Sequence, residues 1–364
     1  MKTHVRTIST VVLLAAVLLV SCSQPVELTP EPTPEPEEEI VRPLEDTGHG
    51  IDAEFVNGLR MLGKGVYETE DTRVIFPEPE GFGSKQVEAI DRKIARYNQL
   101  ISEHPDKNFY AFYLELIQFS PYNPASALYP DADNGRSLEH FLANKPDGLI
   151  FDMLPLTSFE DHIKYYFRTD HHWNARGMLA GYEKIYNMLK LNYPDISPMF
   201  KHDDLFTFPD FGFVGTWARK LDYRAEPEPF EVVLLDLPEY RTFDSAGDEI
   251  EVSQQEKYLA GEHAAGFFAD HYLAYYRQDK IGLLEYVSES GADRNLLIIG
   301  DSFSNPLEPL LASHYHHTYA VDIRRLPDYY FSLSEFLSKY DVDDILIQGG
   351  ANVIMYEWQW TIQP

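Results

Sequence analysis

Five short apolar runs constrain this chain most. "NFYAFYLELI" (108–117), "GLIFDML" (148–154), "NLLII" (295–299), "TYAVDI" (318–323) and "DDILIQGG" (343–350) are nearly continuous in apolar character rather than alternating. A strand of that kind has both faces buried, which is how parallel strands read in an α/β sheet. Between these runs the apolar residues switch to helical spacing. After Ser84, the residues Val87, Ile90, Ile94, Tyr97 and Ile101 share one face. After Asn174, the residues Met178, Leu179, Tyr182, Ile185, Tyr186 and Leu189 do the same, and Ser84 and Asn174 both suit the N-cap position. The C-terminal third alternates strand, helix, strand, helix, strand, which predicts right-handed βαβ units in a doubly wound sheet. Residues 205–280 are rich in aromatics and acids without clean alternation, and read as an insertion or long loops near the site.

Ahead of this body, residues 1–22 read as a secretory leader. Lys2 and Arg6 give a positive start, residues 11–20 an apolar run, and "LVSC" closes it. The run is short for a bilayer span but suits a signal sequence. Leu19, Val20 and Ser21 before Cys22 resemble a lipobox, so Cys22 is the expected lipidation site. A diacylglycerol supplies two acyl chains, enough for stable anchoring. Cys22 is the sole cysteine, so no thiol remains for a disulfide or redox chemistry. Residues 23–50 alternate Pro and Glu and predict an extended, self-repelling tether. The formal net charge of −29 is not confined to that tether. It argues against nucleic acid, and against a strongly anionic polysaccharide unless a local basic groove exists. Neutral or cationic partners fit better.

Two stretches carry candidate chemistry. In "NLLIIGDSFSNP" a buried strand runs into Gly300-Asp301-Ser302 and then toward an expected helix. Strand ends are where sites form in open α/β sheets, and backbone amides beside Ser302 could face an oxyanion. The α/β-hydrolase elbow requires Gly two residues after the serine, where this chain has Ser304. A plain helix cap by Asp301 or Ser302 explains the stretch equally well. In "FRTDHHWNARG" (167–177), Asp170 and His172 are two apart. On an extended segment they share a face, so the carboxylate could orient the imidazole as base toward Ser302, with His171 pointing the opposite way. "IKYYFRTD" reads as a strand leading in, and Asn174 as the cap of the helix leading out. A metal site built on adjacent His and Asp is the competing reading, although no i, i+4 His pair or Cys supports it. A structural turn is the other. The "HYHH" cluster (314–317) reads as a solvated turn at a helix-to-strand junction.

"TDHHWN" followed downstream by "IIGDSF" resembles the DHHW family. It also resembles the wider SGNH-hydrolase-like group that includes the alginate O-acetyltransferase AlgJ/AlgX family. Asp170, His172 and Trp173 match the first block, and Gly300, Asp301, Ser302 and Phe303 the second. "MLGKGVY" (61–67) and "VDIRRL" (321–326) are weaker matches. The resemblance implies that residues 51–364 form a three-layer αβα, SGNH-hydrolase-like (flavodoxin-like) parallel sheet with insertions. It implies a Ser302–His172–Asp170 triad, with no metal and no cofactor, acting by transfer or hydrolysis on acetyl groups of an extracytoplasmic polysaccharide. SGNH enzymes use a Gly and an Asn beside the serine amide, which makes Gly215 and Asn352 the oxyanion candidates. A transferase of this kind implies a membrane-bound O-acyltransferase partner supplying the acetyl group. The alternative of another class is a noncatalytic glycan-binding lipoprotein on the same fold.

Overall fold

The computed structural model describes residues 53–200, 205–222, 225–234, 236–253, 255–262, 271–275, 281–289, 292–326, 330–355 and 361–363. The expected leader, Cys22 and the tether lie outside the described residues. No helix among the described residues is long and apolar enough to cross a membrane.

The described chain opens with α1 (Ala53–Asn57) and a small antiparallel sheet of β1 (Arg60–Gly63), β2 (Val66–Glu68) and β3 (Ile75–Pro77). Then come α2 (Ser84–Glu103), β4 (Asn108–Leu114), α3 (Arg136–Asn144), β5 (Leu149–Leu154), α4 (Phe159–Tyr165) and α5 (Ala175–Leu189). The middle of the chain holds β6 (Leu205–Phe213), α6 (Thr216–Lys220), β7 (Glu228–Val233), β8 (Tyr240–Asp244) and α7 (Gln255–Leu259). The last third contains β9 (Leu283–Ser288), β10 (Ala292–Gly300), α8 (Glu308–Ala312), β11 (Tyr315–Asp322), β12 (Tyr330–Ser332), α9 (Leu333–Leu337), β13 (Asp344–Gly349) and β14 (Thr361–Gln363).

A seven-stranded sheet in the order β5-β4-β13-β10-β11-β9-β8 is the frame. The first five strands are parallel, and all five predicted runs are among them. The burial pattern explains why. On β4 and β10, Tyr110, Phe112, Leu296 and Ile298 enter one core with α5 and Trp173. Phe109, Ala111, Leu297 and Ile299 enter the other, with α2, α3 and α9. Successive side chains point to opposite faces, so a strand sandwiched between two helical layers has to be apolar throughout.

Five expectations need correction in detail. The sheet is not wholly parallel, because β9 and β8 add an antiparallel edge. Part of 205–280 therefore belongs to the main sheet, and β6 pairs with β7 as a separate hairpin. The run predicted for 108–117 ends at Leu114 as a strand, and a 3₁₀ turn follows at Ile117–Phe119. "IKYYFRTD" is not a strand. Ser158 caps α4 by accepting from the Asp161 amide at 3.3 Å, with Glu160 and Asp161 in the first turn, and this helix start outweighs the aromatic run. Only Tyr166 keeps a bridge, to Trp173. Asn174 caps α5 as expected, accepting from the Arg176 and Gly177 amides at 3.0 and 3.1 Å. The cap of α2 is Gly83 rather than Ser84 and uses no side chain.

Trp173 is 0% exposed and lies against α5. A Cβ at Gly181 would collide with its indole, so the glycine is what lets helix and ring approach. We predict that Trp173→Ala destabilises the protein by about 3–5 kcal/mol in urea unfolding. Leu142→Ala, at a side chain 43% exposed, changes stability by less than about 0.5 kcal/mol.

Candidate active site

Ser302 sits two residues beyond the end of β10 and is 6% exposed. It does not start a helix. The chain turns first, with the Ser304 amide donating to Asp301 O at 2.9 Å and the Phe303 amide to Asp301 Oδ1 at 3.0 Å. Only at Glu308 does α8 begin. The Ser304 hydroxyl holds the turn together through Asp301 O at 2.9 Å and Glu308 Oε1 at 3.1 Å.

The Asp170–His172 segment is brought to this serine by a closed loop. The Phe167 amide donates to His172 O at 3.1 Å and the Asn174 amide to Tyr165 O at 2.8 Å. Inside the loop, Asp170 Oδ1 accepts the His172 amide at 2.9 Å and the His172 Nδ1–H at 2.6 Å. His172 Nε2 lies 2.8 Å from Ser302 Oγ. With the Nδ1–H donated to the carboxylate, the Nε2 lone pair faces the serine hydroxyl.

The pairing thus comes from an Asx-type turn and not from extended alternation. This also changes the place of His171. Its Nδ1 is 3.3 Å from Asp170 Oδ1 and its ring is 3.9 Å from that of His172. It flanks the pair instead of pointing away, with a third of its side chain exposed.

Asp170 is buried. Burial alone raises its pKa, but the imidazoles of His171 and His172 and the hydrogen bond from His172 outweigh it. They hold the carboxyl well below the usual range. Its Oδ2 accepts the Thr216 amide at the start of α6. Gly215 belongs to this support. Its amide donates to Thr169 Oγ1 at 2.6 Å, so it is turned toward Thr169, and a Cβ there would run into Asp170 Cβ. The structure therefore places Gly215 behind the acid rather than beside the serine. Trp217, next in α6, meets His171 edge-on at 5.9 Å.

On the serine's other side stands Arg324, which motif reasoning missed. Its Nε and Nη2 donate to Asp322 Oδ1 and Oδ2 at 2.9 and 2.7 Å, and its Nη1 lies 3.5 Å from Ser302 Oγ. The signal was present in "VDIRRL". β10 and β11 pair in parallel with Gly300 opposite Asp322, so residues two beyond each strand end come together. Asn352 is 8% exposed in the 3₁₀ turn after β13, the strand beside β10. The "HYHH" residues do not form a cluster. His314 bonds Tyr182 and Ser197, His316 bonds Ser288 O, and His317 bonds Glu285.

Asp170, His171 and His172 offer ligand atoms within 4.8 Å of one another and form a conceivable metal set. Both ring nitrogens of His172 are, however, engaged by Asp170 and Ser302.

Among solved structures, Bacillus cereus PatB1 with a sulfonyl adduct superposes with a TM-score of 0.60 at 16% identity, over 84% of this chain and 99% of that one. A DHHW family protein from Eubacterium siraeum superposes with a TM-score of 0.57 at 14% identity, over 83% and 95%. The fold is SGNH-hydrolase-like. No family model matches the sequence, and no curated protein does.

Behind the loop, Glu228 Oε2 accepts the Arg168 amide at 3.1 Å. Burial pushes this carboxyl from 4.5 up to about 7. A folded value above the unfolded one means that the native state holds the proton more tightly. The stabilisation is then present below about pH 4.5 and is lost as pH rises toward 7. Buried Glu115, also raised to about 7, shares this slope. The buried imidazoles of His162, His171 and His314, lowered to about 3, 3 and 4, slope the opposite way below pH 6.5. The expected outcome is therefore a difference: urea unfolding should show Glu228→Gln gaining stability relative to wild type between pH 5 and pH 8, by up to about 3 kcal/mol.

Proposed function

We propose that this chain is an extracytoplasmic serine enzyme that moves acetyl groups onto or off a polysaccharide. The observation that carries the proposal is the hydrogen-bonded line from Asp170 through His172 to Ser302, at 2.6 and 2.8 Å. A serine hydroxyl is a weak nucleophile until a base takes its proton, and that base needs an orienting group. In this reading Asp170 fixes the tautomer, His172 Nε2 takes the Ser302 proton, and Ser302 carries the acetyl group as an ester. Water or a glycan hydroxyl then accepts it. The "TDHHWN" and "IIGDSF" blocks support the same assignment, as does the SGNH-like fold.

Cys22 is the proposed lipid attachment and residues 23–50 the tether between membrane and enzyme. A membrane-bound O-acyltransferase is the proposed source of acetyl groups. A cavity of about 630 Å³ is bordered by Asn305 and Pro306 of the Ser302 turn and by Tyr240 and Tyr275. It is the proposed resting place for part of the glycan.

Groups that act as one unit lose activity non-additively. Ser302→Ala and His172→Ala are each expected to lower p-nitrophenyl acetate turnover by about 10⁴-fold or more, with the double variant little worse than either. His171→Asn is expected to keep much of the activity, because His171 flanks Asp170 and His172 while the bonds from Asp170 to His172 and from His172 to Ser302 do not pass through it. An active Ser302→Ala, or losses that multiply, would point to another nucleophile.

If both His172 nitrogens serve the triad, no lone pair is left for a cation. Activity should survive prolonged EDTA treatment, and added zinc should inhibit or do nothing. Loss of bound zinc and activity together on chelation, with recovery on readdition, would favour the metal reading of Asp170, His171 and His172.

A further inference from the structure

We propose that Arg324 is a catalytic residue, the side-chain donor to the oxyanion formed when Ser302 is acylated. The inference rests on the acyl-transfer reading of Ser302 and adds to it a group that the motifs do not name.

The geometry is that of a donor held in advance. Asp322 is 1% exposed and closes β11. It accepts the Arg324 amide at 3.0 Å, Nε at 2.9 Å and Nη2 at 2.7 Å. A guanidinium gripped along one edge has little freedom left, and its Nη1 faces the serine. The 3.5 Å from Nη1 to Ser302 Oγ is long for a hydrogen bond to the resting hydroxyl. The resting hydroxyl does not depend on it either, since its proton goes to His172 Nε2 at 2.8 Å. The oxyanion stands two bonds beyond Oγ, on the former carbonyl carbon, so a donor placed for it need not be in full contact with the resting hydroxyl. Asp301, also at this turn, has its Oδ1 taken by the Phe303 amide at 3.0 Å. Of the two glycine and asparagine candidates, Gly215 has its amide bound to Thr169. Arg324 thus supplies positive charge where an anion forms, in a site buried enough for it to count.

The step balances as follows. The Ser302 Oγ–H proton passes to His172 Nε2 while Oγ bonds to the carbonyl carbon of an acyl ester. The carbonyl π pair moves onto its oxygen, and Nη1–H donates to that oxyanion. On collapse the carbonyl re-forms and the bond to the donor alcohol breaks. The alcohol takes the proton back from His172, leaving acyl-Ser302. Deacylation by a glycan hydroxyl or water runs the same sequence in reverse, with Arg324 donating again.

The rival role for Arg324 is an anchor for a negatively charged acceptor, and the two roles differ in what they move. With p-nitrophenyl acetate, Arg324→Gln should lower kcat by about 10²–10³-fold with KM within about threefold, and Arg324→Lys should recover part of the loss. An arylboronic acid, which forms an anionic tetrahedral adduct on a serine, should bind Arg324→Gln at least about tenfold more weakly than wild type. Equal boronate affinity in wild type and Arg324→Gln, or an unchanged kcat with only KM for an anionic acceptor raised, would overturn the proposal. Failure of the wild type itself to bind boronate would instead count against Ser302 as nucleophile. If Arg324→Gln does not fold, Arg324→Lys with the same two readouts decides the question.

Discussion

The site depends on one buried carboxylate having to find partners. Asp170 lies 1% exposed, where an uncompensated charge is strongly unfavourable and removing one partner costs about 3–5 kcal/mol. Its oxygens take the His172 amide, the His172 ring and the Thr216 amide. Each partner fixes a different part of the site. The first closes the loop after α4, the second orients the imidazole toward Ser302, and the third draws in α6 from a region far along the sequence. Gly215 permits that approach because it has no Cβ to meet Asp170. The stabilisation of an anion and the positioning of an imidazole are here the same set of hydrogen bonds.

The sheet supplies the other half. β10 and β11 run in parallel with Gly300 opposite Asp322, so both strand ends open on one edge. Ser302 and Arg324 each stand two residues beyond, and the rings of Phe303 and Tyr272 flank the histidine, each with its centroid 5.1 Å away. Close packing of glycine and serine in the 300–304 turn holds the buried Ser302 hydroxyl toward His172, six residues ahead of α8. A Cβ at Gly300 would press on Ser304 Oγ at 2.6 Å.

How much of this was legible in the chain follows from which interactions are local. The five parallel strands were readable because burial on two faces leaves a continuous apolar record. That Asp170, His172 and Ser302 meet could be anticipated because their residue types and block spacing are distinctive. The geometry joining the acid and the base was not. "IKYYFRTD" has strand-like composition, but Ser158 and the acids after it start a helix, and the acid–base pairing comes from an Asx-type turn. Arg324 was passed over because its place beside Ser302 depends on the register of two strands, which no single segment encodes. Likewise β8 was hidden in 205–280, since an antiparallel edge strand is fixed by its neighbour β9 more than by its own pattern. Gly215 was singled out for its glycine, and that glycine matters for close packing behind the acid.

The central claim is that Ser302 carries the acyl group and that His172 puts it there. Its most direct measurement is rapid acid quenching of the protein during p-nitrophenyl acetate turnover, followed by peptide mass mapping. The account predicts one acetyl group on the peptide containing Ser302 in wild type, and none on that peptide in His172→Ala quenched at the same time. Acetyl found on another residue, or equal acetylation of Ser302 without His172, would contradict it.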